Sequence, residues 1–204
     1  GNQDGHPSAS VLTCELGKNL EWKKETEMIG EPRVQPVCAA YDGKLYVWGG
    51  FYQNGKSSIV ATSGLRYLLQ GKCWNPLPAP RNGEGKELTL TGATAMLAVA
   101  PDGEAQIICA GGVNHDIFWD AISGTYSKVA QADYLKKDIS WYQFNGCPLT
   151  YKLKTERWEI LSHQTPLLAR AGAQVAMRKH ALYYIGGELK PGLRSPGIVQ
   201  LDLR

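Results

Sequence analysis

PVCAAYDGKLYVWGG, running from Pro36 to Gly50, reads as an apolar strand, a two-residue turn at Asp42-Gly43, a second apolar strand and a glycine pair. Asp-Gly between apolar runs is hairpin chemistry, because the tight turn needs positive φ. The pattern recurs in ATAMLAVAPDGEAQIICAGG, Ala93 to Gly112, which turns at Asp102-Gly103. It recurs again in GAQVAMRKHALYYIGG, Gly172 to Gly187, where Arg178-Lys179-His180 is a weaker turn signal. Tryptophan runs form a second half-motif: LEWKKE at Trp22, KCWNPLP at Trp74 and ERWEIL at Trp158. Two of these follow a further strand, LTCEL (Leu12 to Leu16) or LTYKL (Leu149 to Leu153).

The repeating order is hairpin, Gly-Gly, loop, strand, turn, Trp strand, which makes four strands per unit. The glycine pairs end at 50, 112 and 187, so the intervals are 62 and 75 residues. Propeller units run about 40–50 residues, so these units carry insertions. A single four-stranded sheet cannot bury both of its faces, whereas radial stacking of such sheets does.

Composition agrees. The 204 residues are 43% hydrophobic and 20% charged, which allows a packed core and excludes wholesale disorder. Net charge is +3 without any Lys/Arg run, so no nucleic-acid partner is expected. No apolar stretch reaches the roughly 20 residues of a membrane helix, so no membrane partner is expected either. The five cysteines, Cys14, Cys38, Cys73, Cys109 and Cys147, lack zinc spacing and read as buried reduced thiols. His115, His163 and His180 show no metal spacing. No metal and no cofactor are expected.

The glycine pairs, with Tyr or Trp in the strand before them and Trp further on, resemble kelch repeats. The expected fold class is all-β: a kelch-type β-propeller with four-stranded antiparallel blades. The chain supplies about half of a ring of about six blades. Residues 1–30 read as a half-blade, 31–80 as a blade, 81–165 as a blade with a helical insertion at 115–142, and 166–204 as a partial blade. Asp120 to Lys137 is the polar stretch expected to be helical, and Ile198 to Leu203 an inner or third strand. The insertion is either a wall over the channel or a surface decoration.

Two loops carry the chemistry: GGVNHDIF, from Gly111, and GGELKPGLR, from Gly186. With the Asp120-Ala121 pair, the WYQFN segment (Trp141 to Asn145) and ARAGA (Ala169 to Ala173), they resemble the bacterial N-acetylneuraminate epimerases, or sialic acid mutarotases. The early end after the second motif resembles the cyclically permuted branch of that family. The resemblance implies an isomerase that interconverts the α and β anomers of N-acetylneuraminate by general acid/base catalysis in the central channel. It implies Glu188 as the proton acceptor and Arg194 as the anchor of the substrate carboxylate, since arginine's fork binds carboxylates bidentately. Lys190 either assists electrostatically or is solvated. Asn114 either bonds a sugar group or caps the Gly-Gly turn. Arg33 and Gln35, ahead of the first hairpin, and Arg170, in the ARAGA run, lie at the same end of the blades as candidate substrate-binding residues or structural partners. The expected partners are sialic acid and the missing half of the ring, in the same polypeptide, in a partner chain, or as a homodimer. The expected location is periplasmic or secreted. The alternative is a non-catalytic kelch module that binds a glycan or a protein.

Overall fold

The computed structural model describes residues 1–17, 20–100, 102–162 and 164–202. His163 and Leu203 lie outside the described residues. Strands β1 (Asn2–Gln3) and β2 (His6–Pro7) make a short hairpin ahead of the pair β3 (Ser10–Cys14) and β4 (Trp22–Glu27). The next sheet runs β5 (Val34–Tyr41), β6 (Lys44–Tyr52), β8 (Gly64–Leu68), β9 (Cys73–Leu77), with β7 (Ile59–Val60) on the end of β6. A four-stranded sheet follows: β10 (Ala93–Val99), β11 (Ala105–Gly111), β12 (Leu149–Lys152), β13 (Arg157–Ile160). The last sheet is β14 (Gln174–Arg178), β15 (Ala181–Ile185) and β18 (Ile198–Asp202). The hairpin β16 (Glu188–Lys190) and β17 (Leu193–Arg194) rises between β15 and β18. All these pairings are antiparallel. The sheets are blades of a kelch-type β-propeller. Strand β18 takes the third place in its blade, beside β15.

The turns follow from their residues. Asp42 and Gly43 have φ of 46° and 67°, the doubly left-handed geometry that suits the twist of a hairpin. Lys179 adopts φ 57° in the third hairpin without help from an Asp-Gly pair.

Adjacent blades join through aromatic rings. Trp48 on β6 meets Tyr151 on β12 and Trp158 on β13 with centroids 4.7 and 5.0 Å apart. Both indoles donate to the Pro78 carbonyl at 3.1 Å. One blade earlier, Trp74 donates to the Glu27 carbonyl at 2.8 Å. The repeated tryptophan therefore pins each blade to the one before it. Trp22 holds the same place on β4 and is 69% exposed.

The glycine pairs work in the other direction. A Cβ on Gly49 would stand 2.6 Å from the Thr91 nitrogen, and one on Gly111 would collide with the Tyr184 hydroxyl and the Arg170 carbonyl. Gly49 and Gly111, the first glycines of their pairs, thus let the chain that enters the next blade cross in contact with backbone. The second glycine donates to that chain: Gly50 N–H to Thr91 Oγ1 at 2.9 Å and Gly112 N–H to the Arg170 carbonyl at 2.8 Å.

The cysteines correct the sequence reading. Cys109 is buried, but Cys38 and Cys73 are exposed and Cys14 and Cys147 partly so. Strand alternation explains Cys38: Val37 takes the buried face of β5, which turns its neighbour outward. All five are free thiols.

Gly111→Ala and Gly43→Ala both force alanine into a left-handed conformation, which costs about 1–2 kcal/mol. Only the first adds a clash with fixed backbone, since nothing lies within 4 Å of a Cβ on Gly43. Chemical denaturation is expected to show Gly111→Ala losing at least about 2 kcal/mol more than Gly43→Ala, an overpacking cost. Equal losses would remove the crossing contact from the account.

Candidate functional site

A recurring backbone bond places the site. The carbonyl of a glycine accepts from the residue that leads into the third strand in every blade: Gly1 from Ser8, Gly50 from Ala61, Gly112 from Asn145, Gly187 from Ser195, at 2.7–2.9 Å. Loops 2–7, 51–60, 113–144 and 188–194 therefore spring from equivalent points on one face. On that face the chain entering each blade adopts a left-handed residue: Gln35 (φ 54°), Gly92 (69°) and Gly172 (64°). These are laddered across blades, with Gly92 N–H donating to the Gln35 carbonyl at 3.0 Å and Gly172 N–H to the Gly92 carbonyl at 2.7 Å.

Glu188 is tied to this ladder by its backbone. Its N–H donates to the Ala171 carbonyl at 2.7 Å, and Ala171 N–H donates back at 2.9 Å. Arg194 stands opposite Glu188 across β16–β17. Its Nε donates to Glu188 Oε1 at 3.4 Å, with the side chains 82% and 34% exposed respectively. No hydrogen bond from Nη1 or Nη2 occurs among the described residues. An exposed pair of this kind adds little stability, so its geometry matters more than its energy. Gln35 is exposed on the same face.

The other expected residues are put to different uses. Arg170 is 5% exposed, and its Nη1 donates to the Gly186 and Gly197 carbonyls at 2.9 and 3.0 Å. Arg33 does the equivalent two blades earlier, reaching the Gly49 and Ser63 carbonyls at 3.2 and 2.8 Å. Each arginine staples the first glycine of a pair to the start of the third strand. Asn114 caps a helix rather than the Gly-Gly turn: its Oδ1 accepts from Asp116 and Ile117 N–H at 3.1 Å, and its Nδ2 donates to Gln143 at 3.4 Å. Lys190 Nζ donates to the Leu135 and Lys137 carbonyls at 3.1 and 2.7 Å.

The insertion contains α1 (His115–Ile122), α2 (Gln131–Tyr134) and a 3-10 turn over Ile139–Tyr142. Helix α1 begins at His115 instead of Asp120, because Asn114 supplies the cap that starts it. Residues 123–130 are not helical. Trp119 fastens α1 to the Ser58 carbonyl at 2.8 Å, and Phe118 packs edge-on against Phe51. Asp120, missed in the sequence reading, organises the interior. It is 4% exposed and accepts from Ser127 N–H and Oγ and from Lys128 N–H at 2.7–3.0 Å. Burial pushes its carboxyl up, but these hydrogen bonds outweigh that and hold it below the usual carboxylate range. Asp-Ala in a helix gives no sign that eight residues downstream will fold back onto the carboxylate.

An open cleft of about 1420 Å³ lies under the insertion, lined by Asn114, Gln143, Leu189, Lys190 and Leu193 among others. Glu188 and Arg194 do not line it. No group of three or more metal-ligating side chains occurs among the described residues, and no described helix is long and apolar enough to cross a membrane.

A family model described as N-acetylneuraminate epimerase matches residues 5–204. The N-acetylneuraminate epimerase of Pasteurella multocida (strain Pm70) is 34% identical over 207 residues, covering 95% of this chain and 50% of its own length. That of Haemophilus influenzae (strain PittEE) is 32% identical over 188 residues, covering 87% of this chain and 47% of its own. The solved structure of YjhT superposes with a TM-score of 0.80 at 26% identity, over 100% of this chain and 58% of that one. The chain thus spans about half the length of the curated relatives it matches.

Asp120→Asn is expected to cost about 1–3 kcal/mol, because a carboxylate that accepts three hydrogen bonds becomes an amide that cannot accept them all. The folded carboxyl titrates below its unfolded value near 3.9. Its contribution is therefore complete above that value and is lost as pH falls through the depressed one. Urea midpoints from pH 6 down to pH 3 are expected to fall less steeply in Asp120→Asn than in the wild type. Parallel slopes would remove Asp120 from the acid sensitivity.

Proposed function

Because the chain belongs to the N-acetylneuraminate epimerase family, we propose that the full-length protein interconverts the α and β anomers of N-acetylneuraminate. The observation that carries this is the Glu188–Arg194 pair, held across one rung of a hairpin on the face where the inner-strand ladder runs.

In this reading the substrate carboxylate docks on Nη1 and Nη2 of Arg194. That carboxylate is attached to the anomeric carbon, so docking brings the anomeric hydroxyl to Glu188. Glu188 takes the hydroxyl proton, the bond from the anomeric carbon to the ring oxygen breaks, and an acid protonates that oxygen. The open-chain keto acid turns its carbonyl face and recloses, returning the proton. General catalysis of this kind contributes about 10²–10⁴-fold. Gln35, exposed on the same face, is a candidate hydrogen-bonding partner for the sugar. Asn114 is assigned to the helix cap, and Arg33 and Arg170 to the glycine staples. The complete ring, with the part that this chain does not span, belongs to the proposal, as does a periplasmic or secreted location.

Proton NMR of freshly released sialic acid is expected to show faster relaxation of the anomer ratio with the full-length protein. Glu188→Gln should lower kcat by about 10²-fold or more while sialic acid still binds. Arg194→Ala should raise KM about 10–100-fold, the loss of one charge-assisted contact, and Arg194→Lys should restore it only in part. A Glu188→Gln protein with unchanged kcat would remove Glu188 from the mechanism, and a full-length wild type that binds sialic acid without speeding the relaxation would turn the reading toward a non-catalytic kelch module.

A further inference from the structure

The hairpin that carries Glu188 is short, with three residues in β16 and two in β17. A two-stranded ribbon of this size is marginal without outside support. One support is the backbone pairing of Glu188 with Ala171 at its base. We propose that Lys190 is the other: a positioning residue that latches the insertion onto the hairpin and so holds Glu188 in place. This rests on the reaction assigned above.

The register of the hairpin shifts between Glu188 and Lys190. In a regular strand these two residues would share a face. The irregularity separates them, so that Glu188 pairs with Arg194 while Leu189, Lys190 and Leu193 line the cleft with Ile139, Gln143 and Phe144. Lys190 thus faces the insertion while Glu188 and Arg194 stay outside the cleft. Its ammonium meets the carbonyls of Leu135 and Lys137, which follow the end of α2, where carbonyls lack intrahelical partners. Among the described residues, both side-chain hydrogen bonds between the insertion and the hairpin come from Lys190.

The body it grips is firm. Asp120 ties α1 to residues 127 and 128. Tyr142 donates to the Tyr134 carbonyl, and its ring packs edge-on against Tyr134 and Trp141. Phe118 fixes α1 to Phe51 at the end of β6, and Trp119 fixes it to Ser58 in the loop that follows. The Lys190 bonds therefore extend a braced unit across to the last blade. A ligand role for Lys190 would require it to leave two carbonyls and turn around the hairpin.

The test uses Lys190→Met and Lys190→Arg in the full-length protein. Amide hydrogen exchange over 131–142 and 188–194 is expected to speed up in Lys190→Met. Its kcat should fall about 10–100-fold, the cost of a misplaced reacting group, with KM within about twofold because Arg194 still binds the carboxylate. Lys190→Arg, whose fork can reach both carbonyls, should restore exchange and kcat together. A raised KM with unchanged exchange and kcat would make Lys190 a substrate ligand and overturn the proposal, as would no change at all. If Lys190→Met does not fold, Lys190→Gln, too short to span both carbonyls, takes its place with the same expectations. A wild type that leaves the spontaneous rate unaltered defeats the assigned reaction instead, and exchange alone then decides the latch.

Discussion

The crossing of one blade's glycine pair by the chain entering the next blade is the contact on which this architecture depends. At Gly49 and Gly111 no side chain fits between the strand and the crossing backbone. The contact brings blades close enough for Trp48 to reach Tyr151 and Trp158. The tryptophans then pack each blade against the one before it, while the glycines pack it against the one after. Burial of aromatic area supplies the attraction, and the glycines set the distance at which it operates.

The same contact places the loops. β6 and β11 are crossed at their first glycine, and after the second glycine each strand is caught by a backbone bond from the residue that leads into the third strand. Whatever lies between those two points is free to vary in length, from six residues at 2–7 to a long insertion at 113–144. Loops held by a rigid scaffold in this way are where binding and catalytic residues commonly sit. Glu188 is the residue immediately after the second glycine, and its backbone pairing with Ala171 puts it one residue from the ladder position Gly172.

The parts of the fold that could be read from the sequence are those where backbone geometry dictates residue type. Asp42-Gly43, the three glycine pairs and the strand tryptophans are of that kind, and so are the four-stranded sheets that they frame. What could not be read depended on long-range partners. Cys38 lies in an apolar run, yet alternation puts it outward. Arg33 and Arg170 look like binding residues because arginine suits an acidic sugar, but their guanidinium groups serve backbone carbonyls 16 to 30 residues away. The site is legible only in outline. Glu188 and Arg194 are six residues apart, and a hairpin could bring them together, but the register irregularity that turns Lys190 away from them leaves no mark in the order of residues.

The middle blade tests whether the arginine staple belongs to the repeat or to the site. In the position of Arg33 and Arg170 it has Leu90, which is fully buried. There Asn145 takes over: its Nδ2 donates to the Gly111 carbonyl at 3.3 Å and to the Cys147 carbonyl, ahead of the third strand, at 3.2 Å. Two unlike sets of side chains thus satisfy buried backbone groups beside a glycine pair, as any buried polar group requires. A substrate-binding role would not be expected to alternate with leucine in this way. The two arginines are therefore accounted for by the needs of the scaffold, whereas the Arg194 side chain is 82% exposed.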